Sequence, residues 1–284
     1  MTEEPGKIKK VFLSDWELKK MNAAGRKAAS LPENAIISPL SREWLEDEQR
    51  SQVTGHKSHV GGPEPRSAVR GGARTEVSLR VKIAEIGRRL YPLGFVPATD
   101  GNISARLDGN TVLITPSGLA KGALTPEDIT KIDMEGGLIS GKKPSSEYLL
   151  HLCFYKARPD VMAVIHAHPP LATGLASAGM ALDRPLTSEI VITLGKVPLA
   201  EYATPGTTEV TDSIAGLVKE HNAIMLANHG VVTCGRDLET AFQRMETVEQ
   251  AAKITLVAEH LGGGRLIPAD KVLKLEEMRR RLGL

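Results

Sequence analysis

Aromatic side chains are scarce: two Trp, four Tyr and four Phe make up 4% of the 284 residues. With apolar residues at 41%, the core must be built mainly from Ala, Val, Ile and Leu. Net charge is scarce as well. The formal value of +2 is too small to argue by itself for a nucleic-acid or membrane partner. Three consecutive arginines, Arg279 to Arg281, end a helical pattern, where cations suit the negative end of the helix dipole. Only two cysteines occur, Cys153 and Cys234, far apart and outside any CxxC spacing. That excludes a disulfide framework and fits a reducing cytosol. No apolar run approaches the roughly 18 residues needed to span a bilayer, and the opening Met-Thr-Glu-Glu-Pro lacks the apolar segment of a secretory signal. There is no internal repeat. The expectation is a cytoplasmic, soluble protein holding one large domain, or an ordinary domain with an appendage.

What is present divides the chain into three parts. Residues 1–50 read as an N-terminal extension: Ser14-Asp15 caps a short helix with Leu18, Met21 and Ala24 on one face, Pro32 ends it, and an apolar strip runs from Ile36 to Leu40. So few large apolar groups do not make a domain alone, so this part is expected to dock on something. Residues 51–75 are rich in Gly, Pro and Ser without apolar periodicity, which predicts a flexible linker. His56 and His59 lie in it and are read as solvated. Residues 76–284 carry the regular pattern. Leu79, Ile83, Ile86 and Leu90 predict an amphipathic helix closed by Gly94. Strand-like runs follow at Gly101 to Leu107 and Thr111 to Thr115, then a helix starting near Ser145-Ser146. Val161 to Ile165 and Ala223 to Ala227 have the length of buried strands. A long helix carrying Leu238, Ala241, Met245, Val248 and Ala252 stops at Gly262 to Gly264. This alternation predicts one α/β domain with a central sheet covered on both faces.

The chemistry concentrates where two apolar runs end. The first runs into His166-Ala-His168-Pro169-Pro170, the second into Asn228-His229-Gly230. Residues two apart on a strand share a face, about 7 Å apart at Cα. Two such imidazoles can converge on one ion with bonds near 2.0–2.1 Å. A single His-x-His is equally well explained as a polar strand end. His229, followed by a glycine that permits close backbone approach, shifts the balance toward a metal. Three histidines with an open position form the pattern of a catalytic site. Glu147, at a predicted helix start, is the candidate carboxylate, although a glutamate there also serves simply to offset the helix dipole. His151, one turn later, could back the site behind the ligands but is read as a surface residue, and His221 and His260 as helix-end residues; none of these three is taken as a ligand.

Three short segments offer oxyanion donors: Gly101-Asn102-Ile103-Ser104, Thr115-Pro116-Ser117-Gly118 and Ser145-Ser146. None has the spacing of a nucleotide-binding P-loop. Each alone is an ordinary turn; an anion site follows only where the fold brings them together.

Taken together, these motifs resemble the class II aldolase/adducin family, whose best-known member type is L-fuculose-1-phosphate aldolase. The resemblance covers about 200 residues. It rests on GNISARL (Gly101 to Leu107), ITPSG (Ile114 to Gly118), KPSSE (Lys143 to Glu147), the stretch from Arg158 to Pro170, EYATPGT (Glu201 to Thr207) and NHG (Asn228 to Gly230). It implies a three-layer α/β/α fold with a mixed central sheet, assembled as a homotetramer. It also implies one zinc ion per subunit on His166, His168 and His229, with Glu147 as catalytic acid/base. Asn102, Ser117, Gly118, Ser145 and Ser146 match the family's substrate-phosphate pocket. The implied reaction is reversible cleavage of a phosphorylated sugar to dihydroxyacetone phosphate and an aldehyde such as lactaldehyde.

One departure stands out. The family's aldolases use a tyrosine on the aldehyde side, and the matching region, Leu186 to Thr193, has Glu189 and no tyrosine. Tyr202 belongs to the shared EYATPGT motif and is not a replacement. A sugar-phosphate epimerase or dehydratase therefore stays open as an alternative. A non-catalytic adducin-like binding module is a third reading, weakened because such a module has no need of the histidine trio and Glu147. Finally, Gly25 to Trp44 resembles a segment of enzymes packaged in bacterial microcompartments, which would make residues 1–50 an encapsulation or assembly tag and place the enzyme with a shell.

Overall fold

The structure, a computed structural model, describes residues 11–13, 35–37 and 75–283. The predicted linker up to residue 74, with His56 and His59, and the helix expected after Ser14 lie outside the described residues, as does nearly all of the segment compared with microcompartment enzymes. The chain divides into two units, Met1–Arg70 and Gly71–Leu284. Of the first, a parallel pair is described: β1 (Val11–Leu13) against β2 (Ala35–Ile37). The second unit carries the candidate site.

It opens with α1 (Glu76–Leu90), whose first turn is closed by a reciprocal capping box between Thr75 and Ser78. Leu79, Ile83, Ile86 and Leu90 are all buried on one face, as their spacing predicts. Next comes an antiparallel meander of β3 (Asn102–Arg106), β4 (Thr111–Ile114), β5 (Thr130–Asp133) and β6 (Leu138–Ser140). Then follow α2 (Tyr148–Ala157), β7 (Ala163–Ala167), α3 (Pro170–Ser177), α4 (Ser188–Thr193), β8 (Leu199–Ala200) and α5 (Thr208–Ile214). The hairpin β9 (Ala223–Leu226) and β10 (Gly230–Gly235) leads into the long α6 (Leu238–His260) and the terminal α7 (Ala269–Leu282).

The eight strands form one sheet in the order β6-β5-β4-β3-β7-β10-β9-β8. Only β8 and β9 run parallel, so the sheet is mixed and mostly antiparallel. One core layer joins α1, α3, α4 and α6 to the face bearing Ile103, Leu113, Ile165, Met225 and Val231. The other joins α2 and α5 to Val112, Ile114, Val164, Ile224 and Val232. Residues of opposite parity along each strand enter opposite layers, the period-two rule of a pleated strand. This is the three-layer α/β/α architecture expected.

The chain is less regularly alternating than expected. β5, β6 and β10, together with helices α3, α4 and α5, lie outside the expected pattern, whereas α7 carries Arg279 to Arg281 in its last turn as expected; four consecutive strands precede the first crossover helix. The buried strand expected over Val161 to Ile165 lies two residues later, so His166 is inside β7 with all five of its residues buried.

Candidate metal centre

Four elements meet at the carboxyl end of β7. His166 leaves β7 on the α2 side of the sheet, directly opposite Asn102 of β3 and Val232 of β10. His168 follows the strand, and its amide is fixed by the Phe95 carbonyl at 2.8 Å. The chain then enters α3 at once. The Leu171 and Ala172 amides at its start donate to the Glu249 carboxylate of α6 at 2.9–3.1 Å, which satisfies the positive helix end. His229 occupies the three-residue turn between β9 and β10, where Asn228 takes the left-handed conformation that asparagine tolerates. Gly230 is required by space. A Cβ there would lie 2.6 Å from the Ala167 carbonyl oxygen and 2.6 Å from His168 Cδ2.

The three histidines come together, with one nitrogen of each within 4.8 Å of the others. His166 Nδ1 donates to the Val231 carbonyl at 3.0 Å, and His168 Nδ1 to Asp100 Oδ2 at 3.3 Å. Both Nε2 atoms therefore present lone pairs, 3.1 Å apart. Two nitrogens bonded to one tetrahedral ion at 2.0–2.1 Å would stand about 3.3 Å apart. Glu147 completes the ring: Oε1 lies 3.2 Å from His229 Nε2, and Oε2 lies 3.5 Å from His166 Nε2. Oε2 also accepts from Asn102 Nδ2 at 2.8 Å, whereas the buried Oε1 has no hydrogen-bond partner. Paired imidazole lone pairs beside an orphaned carboxylate oxygen are a donor set that fits a divalent cation.

Burial keeps His166 and His168 neutral: His166 is pushed down to about 3, and His168 is also lowered. For Glu147, burial pushes the carboxyl up. His166, His229 and the Asn102 amide outweigh that and hold it well below the usual carboxylate range. Glu147 itself is the N-cap residue of α2, and its side chain makes no capping bond. Its carboxylate points to the histidines, not to the helix end.

Behind Asn102 runs a ladder that sequence reading missed. Asn102 Oδ1 accepts from His151 Nε2, His151 Nδ1 accepts from Ser104 Oγ at 2.6 Å, and Ser104 accepts from the Tyr155 hydroxyl at 2.7 Å. His151 is fully buried, which corrects the surface reading given above. The HxxxY spacing on α2, placing His151 and Tyr155 one turn apart on an otherwise apolar face, was the available signal. Lys121 was missed as well. It is buried, and its Nζ donates to the Thr99 and Leu119 carbonyls at 2.7 and 2.8 Å, tying together the two loops beside the site. Burial lowers its pKa to about 8.

The three candidate anion segments also meet. Pro116 and Pro144 bridge, the Ser117 amide donates to Lys143 at 3.0 Å, and the Ser145 amide to Thr115 at 3.1 Å. Ser117, Gly118 and Ser146 are exposed at this junction, while Ser145 is buried and its Oγ accepts from the Glu147 amide. Asn102 points its amide at Glu147 and His151. No tyrosine occurs along α4, and Tyr202 is exposed.

Comparison with known proteins adds to this geometry. Residues 81–256 match the model of the class II aldolase and adducin N-terminal domain. A 3-oxo-tetronate 4-phosphate decarboxylase of Escherichia coli strain K12 is 36% identical over 190 residues, covering 65% of this chain and 89% of that protein. An L-fuculose phosphate aldolase of Methanocaldococcus jannaschii is 36% identical over 173 residues, 61% of this chain and 93% of its own length. A solved L-fuculose 1-phosphate aldolase superposes with a TM-score of 0.68 at 30% identity, covering 75% of this chain and all of that one.

Proposed function

The chain belongs to the class II aldolase and adducin family as a carbon–carbon lyase, and from that premise we propose that it cleaves a phosphorylated ketose to dihydroxyacetone phosphate and a short aldehyde such as lactaldehyde, using one zinc ion per subunit. The observation that carries this reading is the Glu147 carboxylate: one oxygen is held by Asn102 beside His166, and the other, buried and without a hydrogen bond, lies 3.2 Å from His229 Nε2.

In this reading His166, His168 and His229 hold the ion through their free ring nitrogens. A divalent cation held there supplies an electrophile that stabilises negative charge on the substrate oxygens beside the carbon that loses its bond. Glu147 Oε1 carries the proton to and from that carbon. Asn102 keeps Oε2 occupied, so the exchange is confined to one oxygen. The Val231 carbonyl and Asp100 fix the imidazole tautomers. Ser117, Gly118, Ser146 and, from behind, Asn102 and Ser145 form the phosphate pocket, which holds the reacting carbon in register with Glu147. We assign the assembled enzyme as a homotetramer.

A second reading has a specific observation in its favour. Retro-aldol cleavage must take a proton from the hydroxyl that becomes the aldehyde, and no tyrosine of α4 serves it. Loss of carbon dioxide from a phosphorylated 3-oxo acid leaves the same carbanion and needs no group on the departing side. The Escherichia coli relative carries the name of such a decarboxylase. The same scaffold also leaves room for a sugar-phosphate epimerase or dehydratase.

The test is direct. Purified protein should hold zinc at one per chain and join dihydroxyacetone phosphate to L-lactaldehyde. Release of carbon dioxide from 3-oxo-tetronate 4-phosphate, without aldol turnover, would replace the first reading by the second. If no stoichiometric metal is found and zinc reconstitution restores neither activity, both readings fall.

A further inference from the structure

Strand β10 joins two polar ends of the sheet. Gly230 adjoins the histidines, and Gly235 opens on a cavity of about 450 Å³ lined among others by Arg158, Asp160, Arg236 and Arg244. Five residue steps at the rise of an extended strand put the two ends about 17 Å apart. The cavity is thus separate from the site described above.

Its arginines are not equally occupied. Arg158 grips Asp160 through Nε and Nη2 at 3.2 and 2.6 Å and donates Nη1 to Asn222 Oδ1 at 2.8 Å. Arg244, half-buried on α6, donates Nη1 to the Cys234 carbonyl at 2.7 Å. No carboxylate among the described residues forms an ion pair with it. Arg236 is exposed at the rim, and its nearest ion-pair partner is Asp237 at 4.0 Å. Burial depresses the Arg244 pKa, and the guanidiniums of Arg279, Arg158 and Arg236 depress it further, the direction expected for a cation held among cations.

Three guanidiniums line this cavity against one lining carboxylate, Asp160, an excess of two positive charges in the lining, of which Arg236 has only the exposed 4.0 Å contact to Asp237. A phosphate monoester carries about −1.5 to −2 at pH 7 and offers three acceptor oxygens. Guanidinium forks match it bidentately, and a carboxylate would neutralise only half of the excess. The volume lies in the range of small-molecule sites, about 300–1,000 Å³, larger than a lone phosphate needs, so an organic remainder fits beside it. We propose that this cavity is a second anion site that takes the phosphate group of a small phosphorylated metabolite, with Arg244 as its central donor and Arg236 at its mouth.

Titration calorimetry of the full-length, metal-loaded protein with inorganic phosphate and with glycerol 3-phosphate tests this. The wild type should bind one more anion per chain than Arg244→Gln, whatever the other site does with phosphate. Arg236→Gln, an exposed change that does not threaten folding, should weaken that binding roughly 3- to 10-fold and leave turnover unchanged. Glycerol 3-phosphate should bind more tightly than phosphate alone. Equal stoichiometry in the wild type and Arg244→Gln overturns the proposal. If Arg244→Gln does not fold, an unchanged affinity in Arg236→Gln overturns it instead. So does a thermal stabilisation that sodium chloride reproduces at matched ionic strength, since that would be only screening of like charges.

Discussion

The two faces of strands β3 and β7 are built on opposite principles. Toward α1 and α6 they present Ile103, Ala105, Ala163, Ile165 and Ala167, every one buried in an apolar layer. Toward α2 the same strands present, around the apolar Val164, the polar side chains of Asn102, Ser104 and His166, buried just as deeply. The first face is held by area removed from water, which is non-directional and tolerant of shape. The second is held by hydrogen bonds that must all be made, because an unsatisfied buried polar group costs about 1–3 kcal/mol. A sheet can thus anchor itself with one side and present chemistry with the other. Stability and reactivity should then separate under mutation.

The largest expected effect is on the polar side. His168→Ala removes one of the three proposed ligands at a position just past the end of β7, where the side chain is 24% exposed. Metal content should fall to near zero. Activity should fall by more than the 10–100-fold typical of outer-shell losses, with thermal unfolding of the metal-free proteins nearly unchanged. Glu147→Gln comes next. It is isosteric, so the ion should remain while proton transfer slows by about 10²–10⁴-fold, read as kcat in steady-state assays and zinc by elemental analysis. Full turnover in this variant would remove Glu147 from its assigned role. The apolar side should answer in the opposite currency. Ile165→Ala, next to His166 but facing α6, should cost about 2–5 kcal/mol in urea unfolding while zinc stoichiometry and turnover per folded molecule stay within a factor of two or so. If Ile165→Ala impairs turnover as strongly as His168→Ala, the two faces are not independent.

Sequence legibility followed the same division. The apolar side was readable because periodicity reports burial: Leu79, Ile83, Ile86 and Leu90 predicted α1, and the α6 pattern predicted its buried face. Short strands without a strong pattern, such as Thr130–Asp133 and Leu138–Ser140, were not readable, since β6 is exposed throughout and is specified by its neighbour. His166, His168 and His229 were legible as candidates because each ends an apolar run. That Asn102 would face Glu147, and that Asp100 would hold His168, depended on strand register and loop path, which single-sequence patterns do not encode. His151 failed for a further reason. Histidine is more often exposed than fully buried, and only the partners supplied by β3 make its burial tolerable.

That residue gives the subtlest test. The ladder has one consistent proton direction: Tyr155 donates to Ser104, Ser104 to His151 Nδ1, and His151 Nε2 to Asn102, whose amide donates to Glu147. It works only with a neutral imidazole, and burial accordingly lowers the His151 pKa to about 4. In the unfolded chain a histidine titrates near 6.5. The stabilising effect of the neutral ring is therefore fully present above about pH 6.5 and is lost as pH falls toward 4, because the unfolded state takes up a proton that the folded state refuses. His166 and His168 are lowered too, so metal-free protein should lose stability steeply across this window. His151→Gln keeps a donor and an acceptor but cannot titrate. Its unfolding free energy, measured by urea between pH 4 and 6.5, should fall less steeply by up to one proton, or about 1.4 kcal/mol per pH unit at most. Identical slopes in the two proteins would mean that His151 already takes up its proton in the fold. The polar face would then owe its order to something other than a ladder of neutral groups.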